Sequence, residues 1–229
     1  MSRFNRKLLR KSEAKREMRR VAIVVPIQDM VHSAFAYSLA QMMKRTMMEL
    51  PDNLESFGLQ FYGSSILPFS RQLLAQYSLD VRATHTLWID SDMEFPSDML
   101  IHFLKHDDPI IGINASSRRP PYRNTAQTGY DVPMVTNEDS TGLEKAYRIG
   151  FGVAWIATEV FKKIDSPWFD FEWLSERNCF RGEDHFFSRK AHEAGYETLI
   201  DHDISKQVNH LGTFGFNPVL NSIAGGIKQ

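Results

Sequence analysis

The chain has 229 residues, of which 42% are hydrophobic and 24% charged, and a formal net charge of −1. This is enough apolar material for one ordinary core, so the length points to one domain, or one domain with appendages. The charge is uneven: residues 1–20 carry nine Lys/Arg against two Glu, about +7, and the remainder eighteen Lys/Arg against twenty-six Asp/Glu, about −8. An acidic body argues against a general nucleic-acid-binding domain, which should be basic. The single cysteine, Cys179, excludes an internal disulfide and fits a reducing, cytoplasmic setting. No run of 18 apolar residues suggests a transmembrane helix, and no apolar h-region follows the basic start as in a signal peptide.

In chain order, Arg3 to Arg20 is a sparse, basic helical pattern. It would be a solvated leader, or a helix lying on an anionic membrane or docking a partner. The expected division is a leader over 1–19, one domain over 20–212 and a tail over 213–229. Val21 to Ile27 is a continuous apolar run, as a buried parallel strand requires. Helices are expected over Ser33–Leu50, Pro68–Leu79, Pro96–Lys105, Thr158–Ile164 and Glu183–Ala194, the last stopped by Gly195. Further strands are expected over Phe57–Tyr62, Thr84–Ile89, Pro109–Ile113, Leu143–Ile149 and Glu197–Ile200. Strand–helix alternation predicts an α/β/α sandwich of Rossmann type with a mostly parallel central sheet. Ligands of such sheets bind at the carboxyl ends of the strands. Between the fourth and fifth strands, 114–142 is long, polar and irregular, and contains Ser116-Ser-Arg-Arg-Pro-Pro-Tyr122. A loop of this length in a compact domain is usually functional or disordered.

Four constellations carry chemistry. Asp90-Ser91-Asp92 follows an apolar strand, and two hard carboxylates there suit Mg²⁺ or Mn²⁺ and, through the metal, a phosphate. The competing use of these acids is in turns and helix caps. Gly182-Glu183-Asp184 opens a helix; Asp184 would take a proton from an acceptor hydroxyl and Glu183 would orient it, or both simply answer the helix dipole. His210, in Asn209-His-Leu-Gly212, offers an imidazole as a third metal ligand, with His202 in Asp201-His-Asp203 as its competitor. Gly150-Phe-Gly152 lacks the rest of a dinucleotide fingerprint. Its small residues let a substrate approach the backbone, or form a tight strand-to-helix turn. Motifs of P-loop kinases, α/β-hydrolases and zincins are absent.

The order Pro26-Ile-Gln-Asp29, Asp90-x-Asp92, Gly150-x-Gly152, Gly182-Glu-Asp184, His210-Leu-Gly212 resembles a GT-A-fold glycosyltransferase, most nearly small family-2-type enzymes of bacterial and viral genomes. The resemblance spans about Arg20 to Gly212. It implies a nucleotide-diphosphate sugar donor (UDP- or GDP-sugar) and Mn²⁺ or Mg²⁺. By position, Pro26, Ile27 and Asp29 would line the nucleoside site, and Arg71 would contact the nucleotide or its phosphates. Asp92 would bind the metal directly, with Asp90 reaching the metal or ribose. His210 would be the third ligand and Asp184 the base of an inverting member. The acceptor, whether glycan, lipid, protein or nucleic-acid base, is left open by the sequence. Gln28 replaces a more usual aromatic residue, His185 follows the Glu-Asp pair unusually, and the processive Q-x-x-R-W signature is missing. Trp155, Trp168 and Trp173 would stack on sugar rings or pack in the core. A nucleotidyltransferase would show a Gly- and Lys/Arg-containing loop after the first strand, which Pro26–Ser33 lacks. An inactive carbohydrate-binding scaffold would not need the acids Asp90, Asp92 and Asp184.

Overall fold

The computed structural model describes residues 18–118 and 122–212. The expected leader helix, apart from its last residues, and the expected tail lie outside them. The leader reading is corrected at its end: Arg19 and Arg20 belong to the first strand, β1 (Arg19–Ile27). Arg19 ion-pairs with Asp107 at 2.5 Å, which ties the start of β1 to the turn before β5 (Ile110–Ile113).

The central sheet has seven strands in the order β2 (Leu54–Gly63), β1, β3 (His85–Ile89), β9 (Gly150–Ala157), β5, β12 (Thr198–Asp201) and β8 (Leu143–Ala146). β1 runs parallel to β2 and β3, and β12 parallel to β5, while β9 opposes both β3 and β5 and β8 opposes β12. Five of the seven strands therefore share one direction, as the apolar run of β1 implies. Ahead of β8, β6 (Gln127–Gly129) and β7 (Val132–Pro133) pair antiparallel, and β8 stops short of its expected end because Tyr147 turns to donate to the Gln127 carbonyl at 2.8 Å.

The period of two in β1 shows why both faces are covered. Ala22 and Val24 pack with Leu74 and Ala75 of α2 (Leu67–Asp80), Phe161 of α4 (Thr158–Lys163) and Phe187 of α5 (Glu183–Glu193). Val21, Ile23 and Val25 pack with Phe35 and Met42 of α1 (Ser33–Glu49), Phe103 of α3 (Met99–Phe103) and Ile204 of α6 (His202–Ser205). Burying each of the Val, Leu, Ile, Phe and Met side chains contributes roughly 1.5–3 kcal/mol before the entropy of ordering it. The result is an α/β/α sandwich. α3 is shorter than the expected Pro96–Lys105, because Pro96–Asp98 form a turn and only Met99–Phe103 are α-helical. Gly195, at φ +88°, ends α5 where a residue with a Cβ would be strained.

Trp155 is fully buried and Trp168 nearly so. These two are core residues, not sugar platforms. Trp155 stacks on Phe103 and His85, and Trp168 meets Phe161 edge-on. The Gly150-x-Gly152 reading is corrected too: both glycines lie inside β9, not in a turn. A Cβ on Gly150 would meet Thr125 Oγ1 at 2.9 Å, and one on Gly152 would meet Met93 Cε at 3.1 Å. It is protein side chains that approach these positions.

Candidate functional site

In the sheet order the chain leaves β1 in both directions, to β2 on one side and β3 on the other. The crevice beyond the carboxyl ends of β1 and β3 is thus a topological switch point, where α/β sheets bind ligands. Asp29 lies there, exposed just past β1, with Pro26 buried and Ile27 half-buried behind it. The His32 amide donates to the Ser91 carbonyl at 3.3 Å and holds the two strand-end loops together.

The Asp90 amide donates to the Gly152 carbonyl at 2.9 Å, and the Met93 amide closes a turn onto the Asp90 carbonyl at 3.2 Å. This turn sends the two aspartates to different partners. Asp90 Oδ1 receives a hydrogen bond from Arg71 Nη2 at 2.9 Å. Arg71, only 2% exposed, also has its Nε 3.2 Å from Glu183 Oε1, and its guanidinium lies over the Phe151 ring at 4.8 Å. Burial pushes the Asp90 carboxyl up to about 6; Arg71 pulls it down, and the neighbouring Asp92 and Glu183 charges push it up.

Asp92 faces the other way. Beyond the turn, β4 (Met93–Glu94) pairs antiparallel with β13 (Asn209–His210), matching Met93 to His210. The Leu211 amide donates to the Asp92 carbonyl at 2.7 Å. His210 Nε2 then lies 3.4 Å from Asp92 Oδ2, and His210 Nδ1 lies 2.8 Å from the Ser116 carbonyl. Arg118, from the long loop, reaches the same carboxylate oxygen at 2.7 Å. Burial opposes ionisation of Asp92, but His210 and Arg118 together hold its carboxyl below the usual range. Contact with Asp92 holds the His210 imidazole above its ordinary value, against its partial burial.

Asp92 and His210 are side chains that could hold a divalent cation. A carbonyl oxygen only accepts, so Nδ1 of His210 carries a proton. In the neutral ring Nε2 then presents a lone pair to the Asp92 carboxylate, an arrangement that needs a proton or a cation between them. A hydrogen bond from the other ring nitrogen to a backbone carbonyl is also how metal-bound imidazoles are oriented. Ligands at adjacent octahedral positions lie about 3 Å apart for metal–oxygen distances near 2.1 Å. The 3.4 Å pair is close to that spacing. The rival His202 is buried, with Nδ1 2.8 Å from Thr136 Oγ1 and Nε2 2.9 Å from Glu144 Oε2. Its partners are thus Thr136 and Glu144, not Asp90 or Asp92.

Glu183 and Asp184 open α5 with different surroundings. The Glu183 side chain is 10% exposed and faces Arg71, whereas that of Asp184 is 19% exposed, with Oδ2 3.1 Å from Arg148 Nη2. Burial and the Arg148 charge push His185 down to about 4, so it is neutral beside Asp184 near pH 7. Upstream of α5, the hairpin of β10 (Glu172–Leu174) and β11 (Cys179–Arg181) exposes Trp173 and Phe180, ring centroids 4.9 Å apart.

The structure therefore joins Asp90, Arg71 and Glu183 in one cluster, and Asp92, His210 and Arg118 in a second. Arg118 and Arg148 were not singled out from the sequence. Arg118 lay in the basic stretch of the long loop; nothing in the sequence around Arg148 marks it. A groove of about 810 Å³ lies at the opposite, amino-terminal edge of β1 and β3, lined by Arg19, Arg82, His85 and Lys162 among others. It lies away from the strand ends where the carboxylates gather, so size alone does not mark the site.

No known family and no curated protein matches the chain. Solved structures do. The protein A197 from STIV aligns with a TM-score of 0.50 at 11% identity, over 86% of this chain and 97% of its own. The catalytic domain of Drosophila beta1,4-galactosyltransferase 7, solved with xylobiose, aligns with a TM-score of 0.52 at 13% identity, over 86% of this chain and 72% of its own. A glycosyltransferase involved in glycosylation of the major capsid of PBCV-1 aligns at 12% identity with a TM-score of 0.34, over 65% of this chain and 68% of its own. The fold is thus GT-A-like, shared with the galactosyltransferase domain. No described helix is long and apolar enough to cross a membrane.

Proposed function

We propose that this chain is a metal-dependent glycosyltransferase, moving a sugar from a nucleotide-diphosphate sugar to an acceptor hydroxyl. The observation that carries the reading is the Asp92–His210 pair, oriented by the Ser116 carbonyl at the switch point of a GT-A-like sheet. Asp92 and His210 would hold Mn²⁺ or Mg²⁺, with Asp90, paired to Arg71, reaching the donor's ribose. The ion, when bound, neutralises charge on the departing nucleoside diphosphate.

The chain's own residues supply the rest. Pro26, Ile27 and Asp29 line the nucleoside side of the crevice. Arg118 places a second cation beside Asp92, where it serves a diphosphate. Arg71 Nη1 is buried and has no hydrogen-bond partner among the described residues; a donor phosphate or ribose oxygen would satisfy it. Of the two acids on α5, Asp184 is the more exposed and is the one assigned to take the acceptor proton. Glu183 holds Arg71 in place. Trp173, exposed where Trp155 and Trp168 are buried, offers a face to an acceptor ring.

A thermal-shift panel of nucleoside diphosphates with and without Mn²⁺ tests this. The expected result is a manganese-dependent rise in melting temperature for one base, followed by transfer from the matching sugar nucleotide. No manganese-dependent shift with any base would remove the reading.

A further inference from the structure

A second group of metal-ligating side chains lies away from the crevice. His102 lies in the last turn of α3, and His106 follows four residues later in the turn that continues it. Both present Nε2 to one oxygen of Asp201, at the end of β12: His102 at 2.6 Å and His106 at 3.2 Å from Oδ2. The two Nε2 atoms are 3.5 Å apart. Among the described residues this is the one group of three or more such side chains whose ligand atoms all lie within 4.8 Å of one another. β12 is separated from β3 by β9 and β5, so the group is distinct from Asp92 and His210.

The geometry points to a zinc site built by His102, His106 and Asp201, with water as the fourth ligand. Tetrahedral zinc at 2.0–2.1 Å from each nitrogen sets ligand atoms about 3.3–3.5 Å apart. The 3.5 Å separation falls in that range, the 3.2 Å one lies about 0.1 Å below it, and the 2.6 Å contact has to open by less than about 1 Å. Asp201 is held ready. Its side chain is 2% exposed, and Oδ1 accepts from the Asp203 amide at 2.9 Å and the Ile204 amide at 3.1 Å, which leaves Oδ2 facing the histidines. The histidine side chains are each 23% exposed, which leaves an entry path. Two imidazoles and a carboxylate favour zinc over the hard ions suited to Asp90 and Asp92.

The site has a place in the architecture. α3 follows β4, and α6 precedes β13. A zinc ion here would clasp α3 to the end of β12, two segments that also lead into the β4–β13 ladder, which brings His210 to Asp92.

The full chain, freed of metal, is titrated with Zn²⁺ alone, and binding is read by equilibrium dialysis and melting temperature. We expect one zinc per chain with a raised melting temperature, retained in Asp92→Asn. His106→Gln should weaken binding by more than about 10-fold, since even outer-shell losses cost that much. Unchanged affinity in His106→Gln, or no binding at micromolar Zn²⁺, overturns the site. A readout needing no variant is diethyl pyrocarbonate labelling of the native chain. Zinc should protect His102 and His106 together, and equal labelling with and without zinc counts against the site even if His106→Gln fails to fold.

Discussion

His210 and Asp92 face each other at 3.4 Å across the β4–β13 ladder, while the opposite ring nitrogen of His210 is held by the Ser116 carbonyl. Two distant segments thus converge on the Asp92 carboxylate: β13 through His210, and the loop of Ser116 and Arg118 through Arg118. This convergence makes His210 the sharpest probe of the proposed metal. His210→Ala should raise the Mn²⁺ concentration for half-maximal transfer by about 10–100-fold, the range seen when metal-site support is lost. A manganese titration of initial rates checks it, and an unchanged curve would return His210 to a purely structural role.

Asp184 and Glu183 are neighbours with different duties. Asp184→Asn should leave the nucleotide-dependent thermal shift intact while lowering transfer by roughly 10²–10⁴-fold, the usual reach of a general base. Glu183→Gln should instead show first in the melting transition, because it weakens the contact to buried Arg71. If both substitutions lower transfer equally at unchanged stability, the division of roles is wrong.

Arg71 separates two acids, Asp90 and Glu183, in a site where it is itself almost wholly buried. Arg71→Met leaves those carboxylates without their cation. The expected loss is about 3–5 kcal/mol, typical of breaking a buried ion pair from one side. Urea denaturation at pH 7 measures it; a loss under about 1 kcal/mol would mean the site relaxes around the gap.

His85 gives a pH signature remote from the site. It stacks on buried Trp155 at 4.6 Å, and burial, then the Arg19 charge, lowers its pKa to about 4, with Asp107 opposing. The unfolded value is near 6.5, so folding favours the neutral ring. The contribution to stability is full above pH 6.5 and is lost as pH falls towards 4. His85→Gln should therefore lose less stability than the native chain between pH 7 and pH 5, as read from urea midpoints. Parallel losses would show that His85 does not titrate in this window.

Much of the fold was legible because its signals are local. The apolar run of Val21–Ile27, the helix from Ser33, the strand before Asp90 and the Gly195 stop all match the structure within a few residues. The misreadings share one cause. Gly150 and Gly152 looked like a turn or a ligand approach, but their missing side chains make room for Thr125 and Met93, which are distant in sequence. For Trp155 and Trp168 sugar stacking and core packing both stood open, because a tryptophan's burial depends on which helices cover the sheet.

By itself the sequence determined the alternating elements, the acidic residues at the ends of β3 and at the start of α5, and the sheet edge on which they fall. Those follow from periodicity and chain order, which are properties of neighbouring residues. Only the tertiary structure decided which carboxylate meets which cation. Asp90 and Asp92 are two residues apart, yet the turn between them sends one to buried Arg71 and the other to His210 and Arg118. Pairing of this kind is set by the approach of distant segments, and burial then sets the strength of each charge interaction.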